Sequence, residues 1–246
     1  MQFHNAERQG HGPRRLRRSE RQADVMLATV AHELRNEIGP LGSALELLAR
    51  SNEPSVRAVA VTMARRQLDA MTHLVEDLTD FGQASRGGAA LERRPLELQE
   101  LVRQTVLACR PLFDERRLHV HVDLPDTPLT VSADPMRLWQ VFVNLLNNAA
   151  KFTRPDGHVR VSASREGEAA CVCVADDGAG IAPEDLKRIF EMFQQGGSSR
   201  EWSPRGLGIG LAVVRRFVEL HGGSVHAASP GVDQGATFSV RLPLAG

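Results

Sequence analysis

In WQVFVNLLNNAAKFT, residues 139–153, apolar and amide side chains recur with the period of a helix. Leu138, Phe142, Leu145 and Ala149 follow one another at spacings of three and four, which builds one apolar face. Asn144 and Asn148 stand one turn apart and Lys151 follows three residues later. All three fall about a third of a turn from that face. Amide oxygens suit Mg²⁺, which takes oxygen ligands, and an ammonium complements phosphate charge. An ordinary polar helix face would carry the same residues, so the segment gains meaning only from its surroundings.

On both sides the period changes to that of strands. LHVHVDL at 118–124, HVRVSAS at 158–164 and ACVCVAD at 170–176 alternate, and SVHAAS at 224–229 with ATFSVRL at 236–242 closes the series. Helices are expected near 98–116, 134–151, 183–190 and 207–221. The sum is an α/β sandwich with a mixed sheet over residues 91–246. His119 and His121 alternate with Val120 and Val122, which puts them on the polar side of a strand. Cys171 and Cys173 share one strand face, where buried thiols suit a reducing cytoplasm better than a metal pair without further ligands.

Two glycine-rich turns interrupt this pattern. ADDGAGI at 175–181 ends a strand with a carboxylate, which can accept a hydrogen bond from an exocyclic amine, and with glycines that allow close backbone approach. RGLGIGLAVVRRF at 205–217 puts Gly206, Gly208 and Gly210 just before a helix, where backbone N–H groups form an anion site. QQGGSSREWSPR at 194–205 is long and polar, the composition of a lid over a nucleotide.

Upstream of the SRGGAA linker at 85–90 lies a helical hairpin, expected over 23–86. Leu27, Val30, Leu34, Ile38, Leu41, Leu45 and Leu48 form a heptad seam, and Val56, Val59, Met63, Ala70, Leu74, Leu78 and Phe81 form a second. SNEPS at 51–55 is the turn, with Pro54 ending the first helix. One such hairpin has too little core to stand alone, so two chains are expected to pair into a four-helix bundle. His32 points away from the seam. By position it reads as a solvated histidine, but Glu33 adjoins it and Asn36 lies one turn on. A neutral, exposed imidazole beside a carboxylate can accept a phosphoryl group.

Composition excludes several other classes. The 246 residues carry 30 basic and 30 acidic side chains, a balance that argues against bulk nucleic-acid binding. The basic cluster RRLRRSER within residues 1–22 reads as a linker or coiled-coil lead. No apolar run approaches the ~20 residues of a membrane span, and no signal-peptide core follows Met1, so a cytoplasmic location is expected. Three cysteines form no disulfide framework.

Taken in order, these motifs resemble the sensor histidine kinases of bacterial two-component systems, over residues 23 to 244. AHELRN resembles the phosphoacceptor box, with His32 as acceptor, Glu33 as base and Asn36 orienting water for regulator dephosphorylation. NLLNNAAKFT is similar to the asparagine box, implying Mg²⁺ on Asn148, phosphate contacts from Asn144 and Lys151, and Phe152 beside the nucleotide. DDGAGI resembles the first glycine box, implying adenine recognition by Asp176 with Gly178, Gly180 and Ile181 around it. IFEMF at 189–193 is similar to the phenylalanine box, through Phe193. RGLGIGL resembles the second glycine box, implying ATP contacts from Arg205, Gly206, Leu207, Gly208, Gly210 and Leu211. GATF at 235–238 resembles the closing motif, through Thr237.

The resemblance implies an ATP- and Mg²⁺-dependent kinase that works as a homodimer through the hairpin. It would phosphorylate itself on His32 and pass the phosphoryl group to an aspartate of a response-regulator receiver domain. Residues 1–22 are too few for a sensor and no receiver follows, so input is expected from an upstream domain or a separate protein. Glu37 stands where the family usually has proline; Gly39-Pro40 is expected to supply the helix kink instead, and the phosphatase balance is the function this departure touches. Two rivals remain: another ATPase of the same fold, as in chaperones, mismatch repair or topoisomerases, and a catalytically impaired dimeric scaffold or phosphorelay adaptor.

Overall fold

The computed structural model describes residues 30–31, 34–36, 38–85, 91–192 and 208–245. The chain divides between Val75 and Glu76 into two compact units. Helix α1 covers 34–36 and 38–50 in the first unit, and α2 (Pro54–Ser85) begins there and runs past the boundary. The hairpin closes where side chains are smallest, since Ala44 and Ala60 are both fully buried. Arg57 fastens the turn by donating to the Leu48 carbonyl at 2.9 Å, and Glu53 N–H donates to Ser51 Oγ at 3.2 Å.

Two details of the hairpin differ from the sequence expectation. Pro54 does not end the first helix; it opens the second, where a missing N–H costs nothing and φ is already helical. The helix also runs on through Gly39 and Pro40. Pro40 removes one N–H from the ladder, yet it does not interrupt the helical run, and Ser43 Oγ donates to the Gly39 carbonyl at 3.4 Å. Among the seam positions, Leu41, Leu48, Val56 and Met63 are half-buried, while Ile38, Leu45 and Val59 are 53%, 56% and 58% exposed. Leu27 lies outside the described residues, as do the side chains of Leu74, Leu78 and Phe81.

The second unit is the expected α/β sandwich. Strands β2 (His119–Asp123), β4 (His158–Glu166), β5 (Ala169–Asp176), β6 (Ser224–Ala228) and β7 (Ala236–Pro243) form a sheet in the order β2-β4-β5-β7-β6. It is mixed, because β2 runs parallel to β4 and the other pairs are antiparallel. Helices α3 (Leu98–Glu115), α4 (Pro135–Phe152) and α5 (Gly210–Leu220) supply the second layer. Strand alternation sends Val159, Val161, Val172, Val174, Phe238 and Val240 into the core, where Phe113, Phe142, Leu145 and Phe217 are fully buried too. The opposite face carries His119, His121, His158 and Arg160, all exposed, as the alternation in the sequence foretells.

Two short strands were not legible in the sequence. β1 (Arg94–Glu97) and β3 (Thr130–Ala133) pair antiparallel in a separate two-stranded sheet. The helix expected near 183–190 is instead a series of turns, held by bonds such as Asp185 N–H to Ala182 O and Arg188 N–H to Asp185 O. These reach back three residues and are mixed with four-residue bonds from Leu186 N–H to Ala182 O and Ile189 N–H to Asp185 O, so no regular ladder forms.

Candidate nucleotide-binding site

The site is built around α4. Asp134 caps its N-terminus, accepting from Met136 and Arg137 N–H groups at 3.0 and 3.3 Å, and Pro135 starts the helix. The expected apolar face is buried: Leu138, Phe142, Leu145 and Ala149 are 2% exposed or less. That burial sets the rotation of the helix, and Asn144, Asn148 and Lys151 stand half-buried along its side. Asn147 points elsewhere, toward α3, where Cys109 Sγ lies 4.0 Å from its Oδ1. Lys151 Nζ rests 5.1 Å from the centre of the Phe152 ring.

The first glycine loop closes on the end of α4. Ala179 N–H donates to the Phe152 carbonyl at 3.0 Å, and a Cβ at Gly178 would fall on that same carbonyl. Gly180 has φ +63° and no room for a side chain, because the Gly231 carbonyl occupies the place. A serine absent from the sequence reading completes the loop: Ser229 Oγ accepts from Ile181 N–H at 3.0 Å and donates to the Gly235 carbonyl at 2.7 Å. Its signal in the sequence was only a polar residue after a strand.

Asp176 sits at the end of β5, on the helix side of the sheet. Burial raises its carboxyl above the ordinary range, against the opposing pull of the backbone N–H groups of Gly178 and Ala236. Gly178 N–H holds Oδ1 at 2.9 Å. A half-buried acceptor beside an open glycine loop suits a ligand's exocyclic amine. Its neighbour Asp177 is exposed and engaged elsewhere, accepting from His158 N–H at 2.8 Å.

The second glycine run meets α4 from the other side. Gly210 begins α5, and a Cβ there would lie 3.8 Å from Asn144 Cγ and Oδ1. The N-cap residue Ile209 makes no side-chain bond to the first N–H groups of this helix, which begins beside Asn144. Half-buried Leu211 follows, and Gly208 precedes with φ +65°. Asp176, Asn144, Asn148, Lys151, Gly178, Gly180 and Gly210 are thus gathered around one helix. Thr237 is not with them: it pairs with Ala175, one step from the Asp176–Ala236 pair, so its side chain leaves the opposite face of the sheet. His32, Glu33, Phe193, Arg205, Gly206 and Leu207 lie outside the described residues.

Residues 133–246 match the family model described as histidine kinase-, DNA gyrase B- and HSP90-like ATPase, and residues 22–87 match the His Kinase A phospho-acceptor domain. The chain belongs to the sensor histidine kinase family. It is 37% identical over 228 residues to the circadian input-output histidine kinase CikA of Synechococcus elongatus, covering 88% of this chain and 29% of CikA. It is 30% identical over 229 residues to the signal transduction histidine-protein kinase BaeS of Escherichia coli, covering 93% of this chain and 48% of BaeS. The chain therefore spans less than half of either relative. Among solved structures, full-length ShkA in complex with AMPPNP superposes with a TM-score of 0.62 at 29% identity, over 90% of this chain and 46% of that one. Among the described residues of this histidine kinase family member, no helix is long and apolar enough to cross a membrane.

The donor set fits Mg-ATP. Mg²⁺ keeps several waters and is usually held by few protein oxygens together with substrate phosphates. Among the described residues no cluster of three His, Cys, Asp or Glu side chains could hold a metal alone, and the half-buried Asn148 amide is an oxygen donor of the kind such a metal would accept. Bound Mg²⁺ would neutralise phosphate charge, and the α5 N-terminus and Lys151 would complement the same anion.

Proposed function

We propose that this chain is the catalytic core of a kinase that transfers the γ-phosphoryl group of ATP to His32 and then to an aspartate of a response regulator. The observation that carries this reading is the convergence on α4 of a half-buried acceptor, two glycine loops and a helix N-terminus that its N-cap side chain leaves unbonded, in a chain whose other unit matches a phospho-acceptor domain. In the forward step the His32 ring nitrogen attacks phosphorus, the bond to the leaving ADP oxygen breaks, and Glu33 assists by taking the proton from the other ring nitrogen. Asp176 fixes the base, while Asn144, Asn148 and Lys151 hold the polyphosphate and its metal. Two chains pair through the hairpin, as the phospho-acceptor domain implies. Asn36, helical and half-buried on α1, orients water in a regulator phosphatase reaction.

Incubation with γ-labelled ATP and Mg²⁺ tests the proposal. Label should appear in an acid-labile, alkali-stable linkage and vanish in His32→Ala. Label that persists in that variant overturns the acceptor, and wild type that binds ATP without labelling supports the scaffold alternative. Transfer to a receiver domain is read by adding one to the labelled protein. A second reaction then follows loss of label from the receiver, which Asn36→Ala should slow.

A further inference from the structure

Cys171 and Cys173 take no part in the nucleotide site, and their sulfurs lie 3.8 Å apart. Both leave β5 on the face turned away from the helices, because Val172 between them is fully buried in the core. Ser239 pairs with Cys173 across β7, with its Oγ 3.3 Å from the Cys173 sulfur. Cys171 is buried and Cys173 half-buried, while Cys109 stands apart on α3.

The geometry discriminates among three fates for such a pair. A disulfide of about 2.05 Å would need the sulfurs to close by roughly 1.8 Å. The strand meanwhile holds the two Cα atoms about 6.6–6.8 Å apart, the upper limit for a disulfide. A zinc-like cation needs three or four ligands and deprotonated thiols. The described residues offer no cluster of three, and burial pushes the Cys171 thiol up to about 12, aided by the neighbouring Cys173 and Glu166. One bridging atom with bonds of about 2.3 Å, typical of sulfur to a heavy element, spans 3.8 Å at a bent angle of roughly 110°. A trivalent element that takes two neutral thiols and expels water meets both the distance and the protonation state.

We propose that Cys171 and Cys173 form a binding site for trivalent arsenic. With an arsenoxide, two arsenic–sulfur bonds form and the arsenic–oxygen bonding breaks. The two thiol protons leave with that oxygen as one water, and neither arsenic nor sulfur changes oxidation state. Cys173 provides entry, and closure onto Cys171 is intramolecular, which gives the second bond its advantage. The thiols face away from Asp176, so nucleotide and arsenical occupy independent sites.

Phenylarsine oxide added to the folded full chain, followed by intact-mass spectrometry, tests the site. One adduct per chain is expected, stripped by 2,3-dimercaptopropanol and not protected by Mg-ATP. Cys171→Ala and Cys173→Ser should each weaken uptake on the order of 100-fold, since each leaves a single thiol. Cys109→Ala should leave uptake unchanged. Circular dichroism checks that the variants fold, and alkylation mapping of the wild-type adduct locates the blocked thiols without any variant. Blocked Cys109, uptake only after denaturation, protection by nucleotide, or unchanged uptake in either single-thiol variant overturns the assignment.

Discussion

Asp176, the proposed adenine-binding carboxylate, sits in a setting that the fold alone would not favour. Burial raises its carboxyl, so the folded-state value lies above the unfolded one. Ionisation as pH rises through the carboxylate range therefore costs the folded chain stability. Asp176→Asn keeps an oxygen for Gly178 N–H but removes the buried charge. At neutral pH it should raise the melting temperature of the nucleotide-free protein while weakening ATP binding ten- to hundredfold, roughly the value of a charge-assisted hydrogen bond. Thermal unfolding and a fluorescent-nucleotide titration separate the two effects. His221 presents the opposite case, and it was invisible in the sequence because a histidine after a helix signals nothing by itself. It is 2% exposed, with Nδ1 2.7 Å from the Phe217 carbonyl and Nε2 accepting from Asp134 N–H at 3.0 Å. These two bonds select the neutral ring with its proton on Nδ1. Burial lowers its value below the ordinary 6.5, so the unfolded chain takes up a proton that folded His221 refuses. Its contribution is present at neutral pH and lost as pH falls below that value. His221→Phe should cost about 1–3 kcal/mol at neutral pH by stranding the Asp134 N–H, while the Phe217 carbonyl keeps the backbone N–H of residue 221. It should also flatten the decline toward acid, as denaturant titrations at several pH values would show.

At the scale of elements, the glycine loop after β5 fits against α4 only because no side chain intervenes. A Cβ at position 178 would meet the Phe152 carbonyl, which already accepts from Ala179 N–H. Gly178→Ala should separate the loop from the helix end, reduce ATP affinity at least about tenfold and lower stability by about 1–3 kcal/mol. Isothermal titration and thermal melts of the same variant would measure both. The match of α4 to the expected 134–151 helix, and of the five long strands to their expected segments, rests on strong periodicity over many residues. Where that signal is short it fails. β1 has four residues, Arg94–Glu97, and includes a proline, so only its pairing with β3 defines it. Residues 183–190 combine helix-forming types with apolar positions at Leu186, Ile189 and Phe190, but Phe190 turns to meet Phe238 edge-on at 6.4 Å, and the backbone follows the packing. The same limit applies to the site. Asp176 and Asn144 stand out as candidates because glycines and amides recur around them at set intervals. For Thr237 the motif leaves the face of the sheet open, because one residue of strand register decides it, and pairing with Ala175 turns its side chain away from the helices.

For the molecule as a whole, the two units pose different physical problems. The ATP-binding unit buries its apolar residues within itself, and Phe113, Phe142 and Phe217 are enclosed. The hairpin does not: Ile38, Leu45 and Val59, three of its seam residues, remain more than half exposed. Scattered exposed leucines need no explanation, but these positions follow the heptad spacing of a coiled-coil seam. A second copy of the hairpin would cover them with the same seam, which is how a twofold interface satisfies itself. Leu45→Glu places a charge in that seam on both copies. Loss of two buried leucines, each worth about 1.5–3 kcal/mol, should weaken dimerisation by roughly 10²- to 10⁴-fold. Light scattering across a concentration series would read the shift to monomer. ATP affinity should stay unchanged, because the nucleotide contacts belong to the other unit, whereas labelling of His32 should fall if transfer occurs between chains and persist if it occurs within one. A variant that stays dimeric at low concentration would reject the seam as the interface; a monomer that still labels itself would keep the seam and assign transfer to a single chain.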